Sequence, residues 1–174
     1  VFTVGLYAAP AYLARRETPP EPEALMEHDA LCLAARTGEP IPWILSRGDE
    51  RWQGIPPGRA MANAPELLMR MALGGVGIAV LNDRFAMPHL NRGELVPVLP
   101  DWHLPPVDAW AVFPGRRLMP ARTRVFLDAL AARFTGPECA AVEAEVQRAK
   151  LQVRRRSRPA GLGLAIAARQ EKRR

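Results

Sequence analysis

The residue types that carry most enzyme chemistry are few and scattered in this sequence. His28, His89 and His103 stand far apart, and none has a second histidine or a carboxylate at metal-ligand spacing. Cys32 and Cys139 are too distant in sequence for a zinc or redox pair and read as reduced thiols. Ser46 lies in Leu-Ser-Arg-Gly rather than in the strained turn that exposes a nucleophilic serine. Gly74-Gly75-Val76-Gly77 follows a helical pattern and precedes an apolar strand. That is the reverse of the strand, glycine loop and helix that aim backbone amides at a phosphate. The sequence therefore supports no catalytic constellation, metal or organic cofactor, and favours binding over catalysis.

Binding chemistry is better represented. In open α/β sheets, ligands sit beyond the carboxyl ends of strands, where helix N-termini offer free N–H groups. Arg36 and Thr37 follow an apolar strand, Asn63 precedes a strong helix and Asn82 follows its strand. Arg36 can pair bidentately with a carboxylate. Thr37, Asn63 and Asn82 can donate and accept, and Trp43 can wall a small pocket. The expected ligand-binding set is Arg36, Thr37, Trp43, Asn63 and Asn82. A guanidinium, a hydroxyl and a helix N-terminus together favour a small organic anion.

The elements that position these residues alternate between helix and strand. Ala64, Leu67, Leu68, Met71 and Ala72 recur at the spacing of one helix face, with Asn63 as the expected cap and Pro65 in the first turn. Gly74 and Gly75 suit the left-handed end of that helix. Residues 78–81 then run apolar without alternation, as a strand covered on both faces does. Before them, strands are expected at 2–7, 30–35, 43–46, 51–55 and 59–62, with short helices at 10–16 and 23–28. After them come a helix at 83–90 capped by Asp83, a strand at 95–99, a strand at 107–113 and a helix at 120–134. A weakly apolar helix is expected over 138–153.

Composition sets the class. With 174 residues and 48% of them apolar, the chain is long enough for an ordinary globular core. No apolar run is long enough for a transmembrane helix. Val1 opens the sequence without a methionine or a signal-peptide layout, which reads as a cut through a longer protein. The formal charge of +6 is unevenly spread. Residues 148–174 hold ten Lys/Arg against Glu171, a local +9, so the rest of the chain carries −3. Such a run reads first as a solvated, mobile tail, with weak, salt-sensitive attraction to any nucleic acid as the sharper alternative.

Five segments in order resemble the C-terminal half of LysR-type transcriptional regulators. They are Tyr7-Ala-Ala-Pro-Ala-Tyr-Leu, Pro22-Glu23-Ala-Leu with His28-Asp29, and Asn63-Ala-Pro-Glu-Leu-Leu running on to Gly75-Val-Gly-Ile-Ala-Val-Leu. Leu95-Val-Pro-Val-Leu-Pro-Asp-Trp, and Ala111-Val-Phe-Pro with Pro120-Ala-Arg-Thr-Arg-Val-Phe-Leu-Asp, complete the series. Ala9 stands where the family has serine, and Asn82 where it has proline.

The resemblance implies an α/β fold, the type 2 periplasmic-binding-protein-like effector domain, with one complete subdomain and the last strand and helix of the other. Residues 1–105 correspond to the second effector-binding subdomain, and 106–136 to the strand and helix that close the first. Residues 137–174 form a basic C-terminal tail without a counterpart, partly helical or disordered. The implied protein is cytoplasmic and non-enzymatic. It senses a small-molecule effector in a cleft between subdomains, works as a homodimer or homotetramer away from the membrane, and contacts promoter DNA through an N-terminal helix-turn-helix. The alternative is a type 2 periplasmic solute-binding protein that delivers a small ligand to a transporter.

Overall fold

A computed structural model describes residues 2–108, 112, 120–135 and 137–157. Its centre is a five-stranded sheet made of β1 (Val4–Ala8), β2 (Ala30–Leu33), β5 (Gly58–Ala62), β6 (Ile78–Asn82) and β7 (Val96–Val98). The spatial order is β5-β2-β6-β1-β7. Strand β2 runs parallel to both β5 and β6, whereas β1 is antiparallel to β6 and β7. Around the sheet lie α1 (Pro10–Arg16), a short 3-10 helix (Pro22–Glu27), α2 (Pro65–Leu73) and α3 (Asp83–Asn91). A separate hairpin pairs β3 (Trp43–Arg47) with β4 (Glu50–Gly54). Two long helices, α4 (Ala121–Thr135) and α5 (Pro137–Ser157), follow.

Side-chain alternation along the strands makes two cores. Leu6, Ala8, Ala30, Cys32 and Ile78 point to one face, where Tyr12, Leu25, Trp43, Leu45 and Trp102 cover them. Tyr7, Leu31, Ala79 and Leu81 point to the other, against Leu68, Ala72 and Ala86 of the helices. The unbroken apolar run in β6 reflects this double cover, as the sequence implies. The element β5-α2-β6 is a crossover between two parallel strands, with β2 inserted between them.

The helix ends differ in detail from the sequence expectation. Asn63 is not the cap of α2; Ala64 occupies that position, extended at φ −113° and without a side-chain cap bond. The cause is Pro65, which pushes its predecessor out of the helical region, so the helix starts one residue later. At α3 the cap is Asn82 rather than Asp83: the Asn82 side-chain Oδ1 accepts the Arg84 N–H at 2.9 Å. Asp83 turns inward instead. On α2, Leu68 and Ala72 are buried while Leu67 is half exposed, because only one edge of the expected stripe meets the sheet. Gly75 takes φ +69° after α2, and Gly74 stays at −71°.

The expected strand over 107–113 falls largely outside the described residues. Val107 itself forms an antiparallel bridge with Phe2, its N–H donating to the Phe2 carbonyl at 2.8 Å. Helix α4 leaves Val125 and Phe126 mostly exposed, 68% and 62%. Helix α5 packs along α3: Val146 is fully buried and the Asn91 amide donates to Glu145 at 3.1 Å.

Two polar clusters fasten the first face. The Tyr12 hydroxyl accepts the Asp29 N–H at 2.8 Å and lies 3.1 Å from His28 Nδ1. Burial lowers the His28 pKa. A neutral ring can accept the Tyr12 O–H hydrogen bond on Nδ1. Arg47 stacks on Trp102 at 4.5 Å and pairs with Glu21 and Glu50, holding the hairpin to the 3-10 helix.

Gly77 lies where β6 enters beside Asp29, whose carbonyl accepts the Ile78 N–H at 2.9 Å. A β-carbon at Gly77 would collide with that carbonyl. Gly77→Ala should therefore lower unfolding free energy in urea by about 1–3 kcal/mol, the usual cost of overpacking. An unchanged midpoint and slope would show that the β2–β6 contact yields without strain.

Candidate functional site

The carboxyl ends of β2 and β6 open into an apolar groove of about 630 Å³. Its floor comes from Leu33, Val80 and Leu81, and the N-terminal turns of α2 and α3 supply Met69 and Phe85. Trp43 and Ile44 of β3 form one wall, and the segment 104–107 with Val4 forms another. The position follows from topology: two neighbouring parallel strands deliver their chains to one edge, and each helix begins there. Phe85 is 63% exposed although it is a large aromatic side chain. Ile41, Ile44 and Val107 also present apolar surface around the groove.

Polar groups are few. Asn82 lies on the lining and is committed through its oxygen to capping α3, which leaves its amide N–H groups for a ligand. Glu66 stands at the start of α2. An apolar cavity with a small number of placed polar groups is the usual form of a small-molecule site.

Of the five residues singled out from the sequence, Trp43 and Asn82 line this groove. Arg36, Thr37 and Asn63 do not; all three are exposed. Arg36 and Thr37 sit on the turn spanning 34–40, closed by the Ala34–Pro40 bridge and by the Gly38 N–H donating to the Ala35 carbonyl. That turn springs from Leu33 and returns at Ile41, both lining residues. Asn63 lies just ahead of α2, whose first turn also meets the groove. Sequence reasoning missed Phe85 and Met69 because apolar residues on a helix read as core unless the opposing surface is known.

It also missed a buried polar cluster next to the groove. The Tyr7 hydroxyl donates to Asp83 Oδ1 at 2.6 Å, and Lys150 of α5 donates to Asp83 Oδ2 at 3.2 Å. The Asp83 and Lys150 side chains are only 3% and 10% exposed. Burial, and then the negative charge of Asp83, hold the Tyr7 phenol far above its ordinary pKa, so it stays a proton donor and cannot serve as a base. Gly5 makes room for it, since a β-carbon there would meet the Tyr7 hydroxyl at 2.9 Å. A Tyr, an Asp and a Lys separated by tens of residues leave no spacing signal in the sequence. Among the described residues no group of His, Cys, Asp or Glu could hold a metal ion, and no helix is long and apolar enough to cross a membrane. Cys32 is buried in the sheet, where desolvation raises its thiol pKa and keeps it unreactive.

Comparison with known proteins identifies relatives of this arrangement. A family model described as the LysR substrate binding domain matches residues 2–135. The HTH-type transcriptional regulator PtxR of Pseudomonas aeruginosa is 35% identical over 127 residues, covering 71% of this chain and 39% of that protein. The transcriptional activator TtdR of Escherichia coli K12 is 32% identical, over 73% of this chain and 41% of its own length. Among solved structures, full-length AphB of Vibrio cholerae is 27% identical with a TM-score of 0.64, over 73% of this chain and 43% of that one. The regulatory domain of CrgA from Neisseria meningitidis is 28% identical with a TM-score of 0.62, over 76% of this chain and 64% of that one. The chain thus spans about two fifths of the length of these curated relatives.

Asn82 caps a helix and lines the groove at once. Asn82→Ala should cost about 1 kcal/mol of stability in chemical denaturation, whereas Asn82→Ser, also a good cap, should stay within about 0.5 kcal/mol of the parent. Equal losses for the two would mean that the cap is not what the side chain contributes.

Proposed function

Because the chain belongs to the LysR substrate-binding domain family, we propose that it is the effector-sensing part of a LysR-type transcriptional regulator. The observation that carries this reading is the apolar groove at the carboxyl ends of β2 and β6, walled by the first turns of α2 and α3. A ligand seated there touches two helix starts and the 104–107 segment together. It can therefore bias how the sheet unit sits against whatever follows those elements. PtxR and TtdR are named as transcriptional regulators, which favours this reading over a solute carrier for a transporter.

The role is binding rather than catalysis. The effector is a small organic anion with an apolar body. Trp43 and Phe85 flank the body, and the Asn82 amide meets a polar atom. Arg36, Thr37 and Asn63 receive the negative end. In the whole regulator, residues 1–105 are the second effector-binding subdomain and 106–136 the segment that returns to the first. The exposed Val125 and Phe126 then pack against that first subdomain. The regulator works in the cytoplasm as a homodimer or homotetramer and binds promoter DNA through an N-terminal helix-turn-helix.

In the full-length regulator, Arg36→Ala should weaken the effector dose–response by about 1.5–3 kcal/mol, the worth of a charge-assisted hydrogen bond. Phe85→Asp should abolish the response by setting a charge against the apolar body of the ligand, where binding would strip it of water, while leaving promoter affinity intact. A reporter assay with an effector titration reads both. An unshifted Arg36→Ala curve removes that residue from the site, and a normal response in Phe85→Asp removes the groove.

A further inference from the structure

Helix α5 is attached at the same helix turn that walls the groove. Its Lys150 donates to the Asp83 carboxylate at 3.2 Å, and Tyr7 donates to the other oxygen of that carboxylate at 2.6 Å. Asp83 is the first residue of α3; its N–H donates to the Thr3 carbonyl at 3.1 Å, which ties the turn to β1. On one side of Asp83 is Asn82, which caps α3 and lines the groove. Two residues on is Phe85, the exposed aromatic in the groove wall. Farther along, Val146 is fully buried and Glu145 accepts from Asn91 at the other end of α3. The helix is thus fixed to α3 by a buried ion pair at one end and an outer hydrogen bond at the other, with Val146 buried on the helix between Glu145 and Lys150.

We propose that α5 is a built-in latch on α3, and that its docking and occupancy of the groove favour one another. The argument is one of shared structure. If α5 leaves, Asp83 keeps the Tyr7 hydrogen bond but loses its buried cation, and a buried carboxylate without a counter-charge is costly enough to pull its helix turn toward solvent. Asn82 and Phe85 belong to that turn, so the groove loses a wall in its binding geometry. A ligand that needs the wall binds the latched form better. By linkage it must then hold α5 down by the same factor. The groove end of this proposal rests on the ligand-site reading above; the latch end rests only on the contacts of Asp83, Val146 and Asn91.

The test uses the full chain, with anilinonaphthalene sulfonate, an apolar anion, as probe. Dye titrations are made on the parent and on Lys150→Gln, Val146→Asp and Phe85→Glu, together with amide hydrogen exchange. Lys150→Gln removes the ion pair, and Val146→Asp frees the helix without touching the polar cluster. Each should speed exchange over residues 140–152 by roughly tenfold or more, with β6 amides still slow, and weaken dye binding by roughly threefold or more. Saturating dye should slow α5 exchange in the parent. If neither variant changes α5 exchange, there is no latch. If α5 is freed and dye affinity is unchanged, latch and groove are not linked. If Phe85→Glu leaves dye binding intact, or the parent binds no dye, both the linkage and the groove reading fall.

Discussion

The pairing of β1 with β6 is the constraint on which the rest of this molecule depends. Val4 sits opposite Asn82 and Tyr7 opposite Ala79, so β1 runs antiparallel beside the middle strand of the sheet. That register puts Leu6 and Ala8 on one face with Ile78, and Tyr7 on the other with Ala79 and Leu81. A one-residue slip would exchange the two faces and send the Tyr7 hydroxyl away from Asp83. The same pairing brings Val4 to the carboxyl end of β6, where it becomes part of the groove wall. Sheet, groove and buried carboxylate are therefore set by one ladder of hydrogen bonds.

Much of the fold was legible because the sheet has two covered faces. The apolar run in β6 and the periodic face of α2 are direct consequences of that burial. Helix α1 falls over Pro10–Arg16 as expected, and β1 to β7 end within a few residues of the expected bounds. The departures come from local competition. Pro65 overrides Asn63 as the start of α2, and Asn82 takes the cap from Asp83 because Asp83 has a stronger partner inside the protein. Of the groove, the sequence showed the end of the sheet and two side chains, Trp43 and Asn82. Phe85 was hidden because apolar residues in an amphipathic helix look alike until it is known which face lacks a partner.

The basic C-terminal stretch has a more specific role than its charge suggests. Lysine is scarce in this arginine-rich chain, yet Lys150 is the residue that α5 inserts against Asp83. A compact ammonium on a long flexible stem fits a nearly enclosed carboxylate with less bulk than a planar guanidinium. Arg92, by contrast, stays outside with Glu94 and His89, where its hydrogen bond, followed by that of His89, lowers the Glu94 pKa to about 2. Such exposed pairs add little to stability, whereas the enclosed one decides where a helix sits.

The proposed ligand site is the edge formed by β2, β6, α2 and α3, and the proposed ligand is a small anion with an apolar body. The most direct measurement is nuclear magnetic resonance of the chain during titration with a panel of aliphatic and aromatic carboxylates. The account predicts that a binding member shifts the Trp43 indole N–H, the Asn82 side-chain amide and the amides of α3's first turn together, and leaves His28 and the β3–β4 turn unmoved. A second, more polar cleft lies elsewhere, lined by Arg47, Asp101, His103 and Lys150; saturable shifts confined to it, with the groove silent, would contradict the account.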